Sequence, residues 1–306
     1  GIGDVILSLP VASQLRKLLP DVRIGFLTSP IVAPILERHP DVDYVRTIRW
    51  TDTPSILRAA FSDGVDAAIF LKPFRQLMWS AFLARVPLRV ATGFRWYSPL
   101  ANRRIYEHRS EFMKHESEYN VEMLKGLGLN PGPVNRPTLV LSSEERNAAA
   151  QYWTNLPNRR VVVHPGGRSA RRWRAEHFRD LAVELARTGY GVVLTGSETE
   201  RTEFERDTLS QRALPPGIHN LMGRLSVREL MAVIADAQVV VSGATGPAHL
   251  AAALGTATVS LFDPRRNNLP TRWRPLGTGV LLRPDVPTCE KCIGDVCPFW
   301  DCLDRL

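Results

Sequence analysis

The segment from Val161 to Glu200, VVVHPGGRSARRWRAEHFRDLAVELARTGYGVVLTGSETE, constrains the fold more than any other part of the chain. An apolar β-branched run leads into a glycine-bearing basic loop, an amphipathic stretch and a second apolar run that closes on Gly-Ser-Glu. Continuous apolar runs belong to strands buried on both faces, and parallel strands need a crossover helix of the kind the amphipathic stretch provides. Glycines admit backbone N–H groups close to an anion, and the helix that follows points its positive end at the same place. Gly166 and Gly167, with Arg168, Arg171 and Arg172 beside them, therefore read as a phosphate cradle, the alternative being an ordinary strand-to-helix turn with solvated arginines.

The same alternation runs through both halves, which predicts an α/β fold with parallel sheets covered by helices. In the first half helices are expected at 8–19, 31–38, 54–61, 75–85 and 115–127, and strands at 22–27, 44–48, 67–71 and 88–91. In the second half strands are expected at 161–163, 192–195, 239–242 and 258–262, and helices at 176–188, 227–235 and 247–254. A length of 306 residues suits two domains, divided as 1–140 and 141–306, with Asn130-Pro131-Gly132-Pro133 opening the linker. The outcome is two Rossmann-like lobes, whose ligands belong at the carboxyl ends of the strands. Gly1 stands on a strand-to-helix turn, so a first strand is expected to precede it.

A net charge of +8 and an isoelectric point near 9.7 favour anionic partners. Nucleic acid is not expected, because the arginines are dispersed and no RNP, zinc-finger or helix-turn-helix pattern accompanies them. With no apolar run near 20 residues and no signal peptide, the expectation is a cytoplasmic chain working at a membrane surface.

Other constellations carry chemistry. Asp4, at the mouth of Gly1-Ile2-Gly3-Asp4, is a candidate general base or a helix cap. Ser242-Gly243-Ala244-Thr245-Gly246-Pro247-Ala248-His249 follows a strand and opens an Ala-rich helix, a second place for backbone amides to hold phosphate. His249 there is a packing residue or a site residue. Ser226 and Glu229 have capping-box spacing, and Asp41-Val42-Asp43 reads as a turn although it imitates a metal-nucleotide motif. Cys289, Cys292, Cys297 and Cys302 can converge on zinc or an iron–sulfur cluster, or remain reduced thiols; a metal- or redox-sensing protein is the non-enzymatic reading they open.

Together GDVILSLP, HPGG with RRW, GRLS, TGPAHLAAALG, LFDP and the terminal cysteines resemble glycosyltransferase family 9, the ADP-heptose:lipopolysaccharide heptosyltransferases, nearly end to end. The resemblance implies a GT-B fold, with two Rossmann-like lobes facing across a cleft, the first for the acceptor and the second for the nucleotide sugar. It implies inverting transfer of a heptose from ADP-heptose to an inner-core lipopolysaccharide or related glycan at the cytoplasmic face of the inner membrane, with no metal required. Asp4 matches the family's base. Arg171 matches a cation directed at the donor diphosphate, Glu200 an acidic partner of the donor ribose with Glu198 as fallback, and Thr245, Gly246 and His249 the second donor loop. Gly166 and Gly167 fall in the first. Lys72 and Arg75 lie where basic side chains meet an anionic acceptor, with Arg95 and His115 as weaker candidates. Ala244 departs from the family, many members having Asp there, which leaves the donor sugar open: another nucleotide sugar, or an epimerase on the same scaffold, are the alternatives.

Overall fold

In the computed structural model residues 1–167, 172–208 and 214–306 are described. The chain forms two compact units, one of Leu7–Asn135 and one of Gly1–Ile6 with Arg136–Leu306. The first helix, α1 (Ile2–Ile6), thus packs with the later part of the chain.

The Leu7–Asn135 unit begins with α2 (Leu9–Leu18), then β1 (Gly25–Thr28) and β2 (Tyr44–Thr47), which pair in parallel. Next come α3 (Pro54–Ala59), β3 (Ala67–Ile69), α4 (Arg75–Leu83), β4 (Leu88–Thr92) and β5 (Arg103–Ile105), the three strands forming a second parallel sheet in the order β3-β4-β5. Leu57 of α3 and Leu77, Met78 and Ala81 of α4 join Phe61, Phe70 and Val86 in the core. Burying each of the larger side chains contributes about 1.5–3 kcal/mol. The unit closes with α5 (Glu116–Glu122), capped by His115 through a box with Glu118.

Two sequence expectations change here. The 31–38 helix is only a 3₁₀ turn, Ala33–Leu36, because Pro34 has no N–H to donate and Glu37 is extended. Strand β5 falls in a region read as irregular: Arg103 and Arg104 are exposed at the sheet edge, so the strand carries almost no apolar signal. Asp41 does lie in a turn, closed by the Val42 amide on the His39 carbonyl at 3.2 Å, and Asp43 leads from it into β2. Asp41 accepts the Ser13 hydroxyl at 2.6 Å, and Asp43 accepts the Ile24 amide at 2.6 Å and Arg16 at 2.7 Å.

The other unit continues with α6 (Ser143–Ala149), β6 (Arg160–His164), α7 (Ala175–Arg187), β7 (Gly191–Leu194), α8 (Glu198–Thr208) and β8 (Ile218–Asn220). Then follow α9 (Val227–Ala235), β9 (Val239–Gly243), α10 (Gly246–Leu254), β10 (Ala257–Leu261), α11 (Pro270–Trp273) and β11 (Gly279–Leu282). All six strands are parallel in the order β11-β10-β9-β6-β7-β8. From β6 the chain advances outward to β8, returns to β6's other flank as β9, and advances outward again to β11. The direction of winding reverses between β6 and β9, and at such a switch the loops after the two strands separate and leave a crevice.

Ser226 caps α9 through the expected box with Glu229, and Ser142 caps α6 through a box with Glu145. Glu145 also takes a two-point ion pair from Arg228, at 2.7 and 2.6 Å, which joins α6 to α9. Among the described residues no helix is long and apolar enough to cross a membrane.

Candidate active site

The carboxyl edge of the six-stranded sheet collects most of the residues singled out in the sequence. Gly166 and Gly167 follow β6, Glu200 follows β7, and Thr245, Gly246 and His249 follow β9. Because β7, β6 and β9 are consecutive in the sheet, their loops are neighbours.

Glu200 ties two of these loops together. It lies in the first turn of α8 rather than in a loop, since Ser197-Glu198-Thr199-Glu200 is itself a capping-box sequence. One carboxylate oxygen accepts the Gly167 amide at 2.8 Å, and the other accepts the Ser197 amide at 2.7 Å and hydroxyl at 2.9 Å. Burial pushes the Glu200 carboxyl up. The Ser197 amide, the His164 ring, the Ser197 hydroxyl and the Gly167 amide together outweigh it and hold the group below the usual glutamate range. The carboxylate is therefore ionised and fully engaged in loop geometry, with Glu198 turned instead to Arg201.

Gly167 has φ +150°, and a Cβ there would stand 2.7 Å from the Thr245 methyl. Only glycine lets the β6 loop pass this close to the β9 loop. Thr245 precedes α10 without a side-chain cap, and in the first turn of that nine-residue helix Pro247 has no N–H while the Ala248 amide donates to the Thr245 carbonyl at 3.2 Å.

Helix α1 approaches α10 just as closely. A Cβ on Gly246 would lie 2.7 Å from the Ile2 Cβ, and one on Gly3 would lie 2.9 Å from the His249 ring. The glycine pair brings Asp4, on α1, to the start of α10, its carboxyl 40% exposed and 2.8 Å from the Gly1 amino nitrogen. His249 is buried against Gly3.

A cavity of about 340 Å³ opens beside these loops, lined among others by Gly166, Arg172, Trp173, Glu200 and Glu203. Arg172 pairs with Glu203 at 2.9 Å. Arg171, expected to face a diphosphate, lies outside the described residues, as does Arg168. Lys72 and Arg75 belong to the other unit, both exposed, with the Arg75 guanidinium 5.7 Å from the centre of the Trp96 ring. Arg95 is exposed on the same unit, whereas His115 is buried and serves as the α5 cap.

Sequence reasoning passed over three residues. His164, which ends β6 just before Pro165-Gly166, is buried and bonded to the Thr195 hydroxyl at 3.0 Å; burial lowers its pKa, so the ring is neutral at pH 7. Its signal was its place inside the glycine loop motif. Asp263, after β10, is almost wholly buried and holds Arg265 by 2.9 and 2.6 Å contacts, and the backbone at Arg265 forms an isolated parallel β-bridge with that of Cys289. The Cys289 thiol is pushed up by burial and by the charges of Asp263, Cys297 and Cys292. None of the four cysteines is in a disulfide, and among the described residues no group of three or more His, Cys, Asp or Glu is arranged to hold a metal ion.

The chain is similar to known proteins over nearly its whole length. The profile of glycosyltransferase family 9 (heptosyltransferase) matches residues 64–299. Lipopolysaccharide heptosyltransferase 3 of Escherichia coli is 23% identical over 292 residues, covering 91% of this chain and 85% of the relative. Lipopolysaccharide heptosyltransferase 1 of E. coli K12 is 24% identical over 282 residues, covering 86% and 85%. Among solved structures, E. coli ADP-heptose lps heptosyltransferase II superposes with a TM-score of 0.80 at 22% identity, covering 99% of this chain and 94% of that one. The α/β fold with parallel sheets is accordingly of the GT-B class. The family profile spans far more than half of the chain, which therefore belongs to glycosyltransferase family 9 and is a glycosyltransferase of the heptosyltransferase type.

Proposed function

We propose that the chain transfers a heptose, with inversion, from ADP-heptose to an anionic lipid-linked glycan, the inner core of lipopolysaccharide or a related acceptor, at the cytoplasmic face of the inner membrane. The observation that carries this reading is the convergence of Asp4, on α1, with the glycine loops at the sheet's switch point. Such loops suit a diphosphate: the glycine-bearing loops after β6 and β9 meet at the positive N-terminal end of α10, and Glu200 keeps the Gly167 loop in place.

In this mechanism Asp4 accepts the proton of the acceptor hydroxyl as its oxygen forms a bond to the anomeric carbon. The bond from that carbon to the diphosphate oxygen breaks on the opposite face, and the electron pair leaves with ADP. Arg171 and the positive N-terminal end of α10 stabilise the departing charge. No step needs a metal or another cofactor. Lys72 and Arg75 give the Leu7–Asn135 unit cations for acidic or phosphorylated acceptor sugars.

The test is Asp4→Asn, assayed for sugar transfer from ADP-heptose in the presence of deacylated and lipid-linked acceptors. A loss of about 10²–10⁴-fold in kcat with unchanged ADP affinity supports the assignment. Near-normal transfer by a folded variant removes Asp4 from the base role. Ala244 favours a second reading, in which the same chemistry uses a different nucleotide sugar; a donor panel separates the two.

A further inference from the structure

One face of the Leu7–Asn135 unit presents an aromatic stripe to solvent. On α4, Arg75, Trp79, Phe82 and Leu83 fall at i, i+4, i+7 and i+8, which places them on one side of the helix. That spacing ordinarily marks the side turned into a core, yet here the core is already served by Leu77, Met78 and Ala81. Trp79 is 49% exposed, Phe82 43% and Leu83 40%. The stripe continues at both ends. At one, Arg75 lies over the ring of Trp96, which is 76% exposed; at the other, Arg89 lies 5.4 Å from the centre of the Phe82 ring. Trp79 and Phe82 are in ring contact at 5.8 Å. A contiguous apolar face of this kind marks an interaction surface.

Charge identifies the occupant. Residues 67–106 contain seven Lys and Arg and not one Asp or Glu. A second copy of the chain would bring the same positive field against this one, in a protein whose net charge is +8. An anionic phospholipid surface complements both properties: its headgroups take the arginines, while tryptophan and phenylalanine seat at the level where headgroups meet acyl chains.

We propose that the α4 stripe, Trp79, Phe82 and Leu83 flanked by Arg75, Trp96 and Arg89, is the surface by which this unit docks on an anionic bilayer. The inference deepens the reading above, in which the acceptor is lipid-linked, by assigning the membrane contact to one helix face. Docking by α4 presents Arg75 to the layer where anionic headgroups and lipid-linked sugars lie.

The experiment is co-sedimentation of the full chain with vesicles of phosphatidylcholine alone and of phosphatidylcholine mixed with phosphatidylglycerol. The comparison protein is the double variant Trp79→Ser, Phe82→Ser, its fold checked by circular dichroism. Wild type binds the mixed vesicles, binds the neutral ones weakly, and loses binding as salt rises; the double variant binds the mixed vesicles roughly tenfold less. Failure of wild type to bind anionic vesicles at low salt, or equal binding by the variant, overturns the proposal. So does a wild-type dimer in sedimentation that the variant abolishes, since the stripe then belongs to a second copy. Transfer to a deacylated acceptor is measured in parallel: the variant keeps it, and its absence in a wild type that still binds vesicles counts against the sugar-transfer reading alone.

Discussion

Glu200 accepts the amide of Gly167 at 2.8 Å, and this bond joins the loop after β6 to the start of α8, which follows β7. A family resemblance assigns such an acidic residue to a ligand, yet the carboxylate here also shapes the loop that receives one. The two roles separate by substitution.

Glu200→Ala leaves the Gly167 and Ser197 amides without their acceptor and frees the loop. The expected cost is about 1–2 kcal/mol in stability, read by urea denaturation, together with weaker nucleotide binding by calorimetry. Glu200→Gln keeps an acceptor oxygen and loses less stability. Equal loss in the two variants contradicts a loop-holding role.

Stability falls on acidification in two stages. The folded pKa of His164 is lowered by burial, so below about 6.5, where the unfolded ring gains a proton that the folded ring refuses, stability declines. Glu200, whose folded pKa is also depressed, adds stability that is fully present above the ordinary glutamate range and is lost as pH falls through its lowered value. Thermal midpoints recorded from pH 8 to about 2 follow this course. In His164→Gln the first stage disappears and the second persists in weakened form, since the His164 ring is one of the groups that lower Glu200.

Gly246→Ala places a methyl group 2.7 Å from the Ile2 Cβ, forcing α1 away from α10. Overpacking of this kind costs about 1–3 kcal/mol. Because α1 carries Asp4, transfer is expected to fall further than nucleotide affinity. Matched losses in kcat and stability in a conservative control, Ala251→Gly within the same helix, point to general destabilisation instead.

Asp263→Asn breaks the buried pair with Arg265, at an expected cost of about 3 kcal/mol. It also removes a negative charge that raises the Cys289 thiol, so Cys289 alkylation shifts to lower pH. An unchanged alkylation profile contradicts the proximity of the two groups.

In the second unit strands β6, β7, β9 and β10 and helices α7, α9 and α10 were legible, the strands because burial leaves apolar runs such as Val161–Val163 and Val239–Val241, whereas β8, β11, α6 and α11 were not read. The Ser226 cap was equally plain from its spacing. Strand β5 and helix α8 were not: Arg103 and Arg104 point a sheet edge at solvent, and α8 buries little beyond Phe204 and Thr208, so neither has a strong hydrophobic period. In the site, residue types showed Asp4, Gly166, Gly167, Thr245, Gly246 and His249. Their meeting was hidden, because the contact of α1 with α10 joins positions more than 240 residues apart through glycines whose only signal is the side chain they lack.

The most direct measurement is calorimetric titration of the intact chain with ADP, UDP and GDP, followed by their sugar conjugates. The account predicts binding of ADP and of ADP-heptose, with UDP and GDP much weaker, and weaker ADP binding in Glu200→Ala. Binding of UDP or GDP compounds alone, with none of ADP, contradicts the assigned donor while leaving the family membership in place.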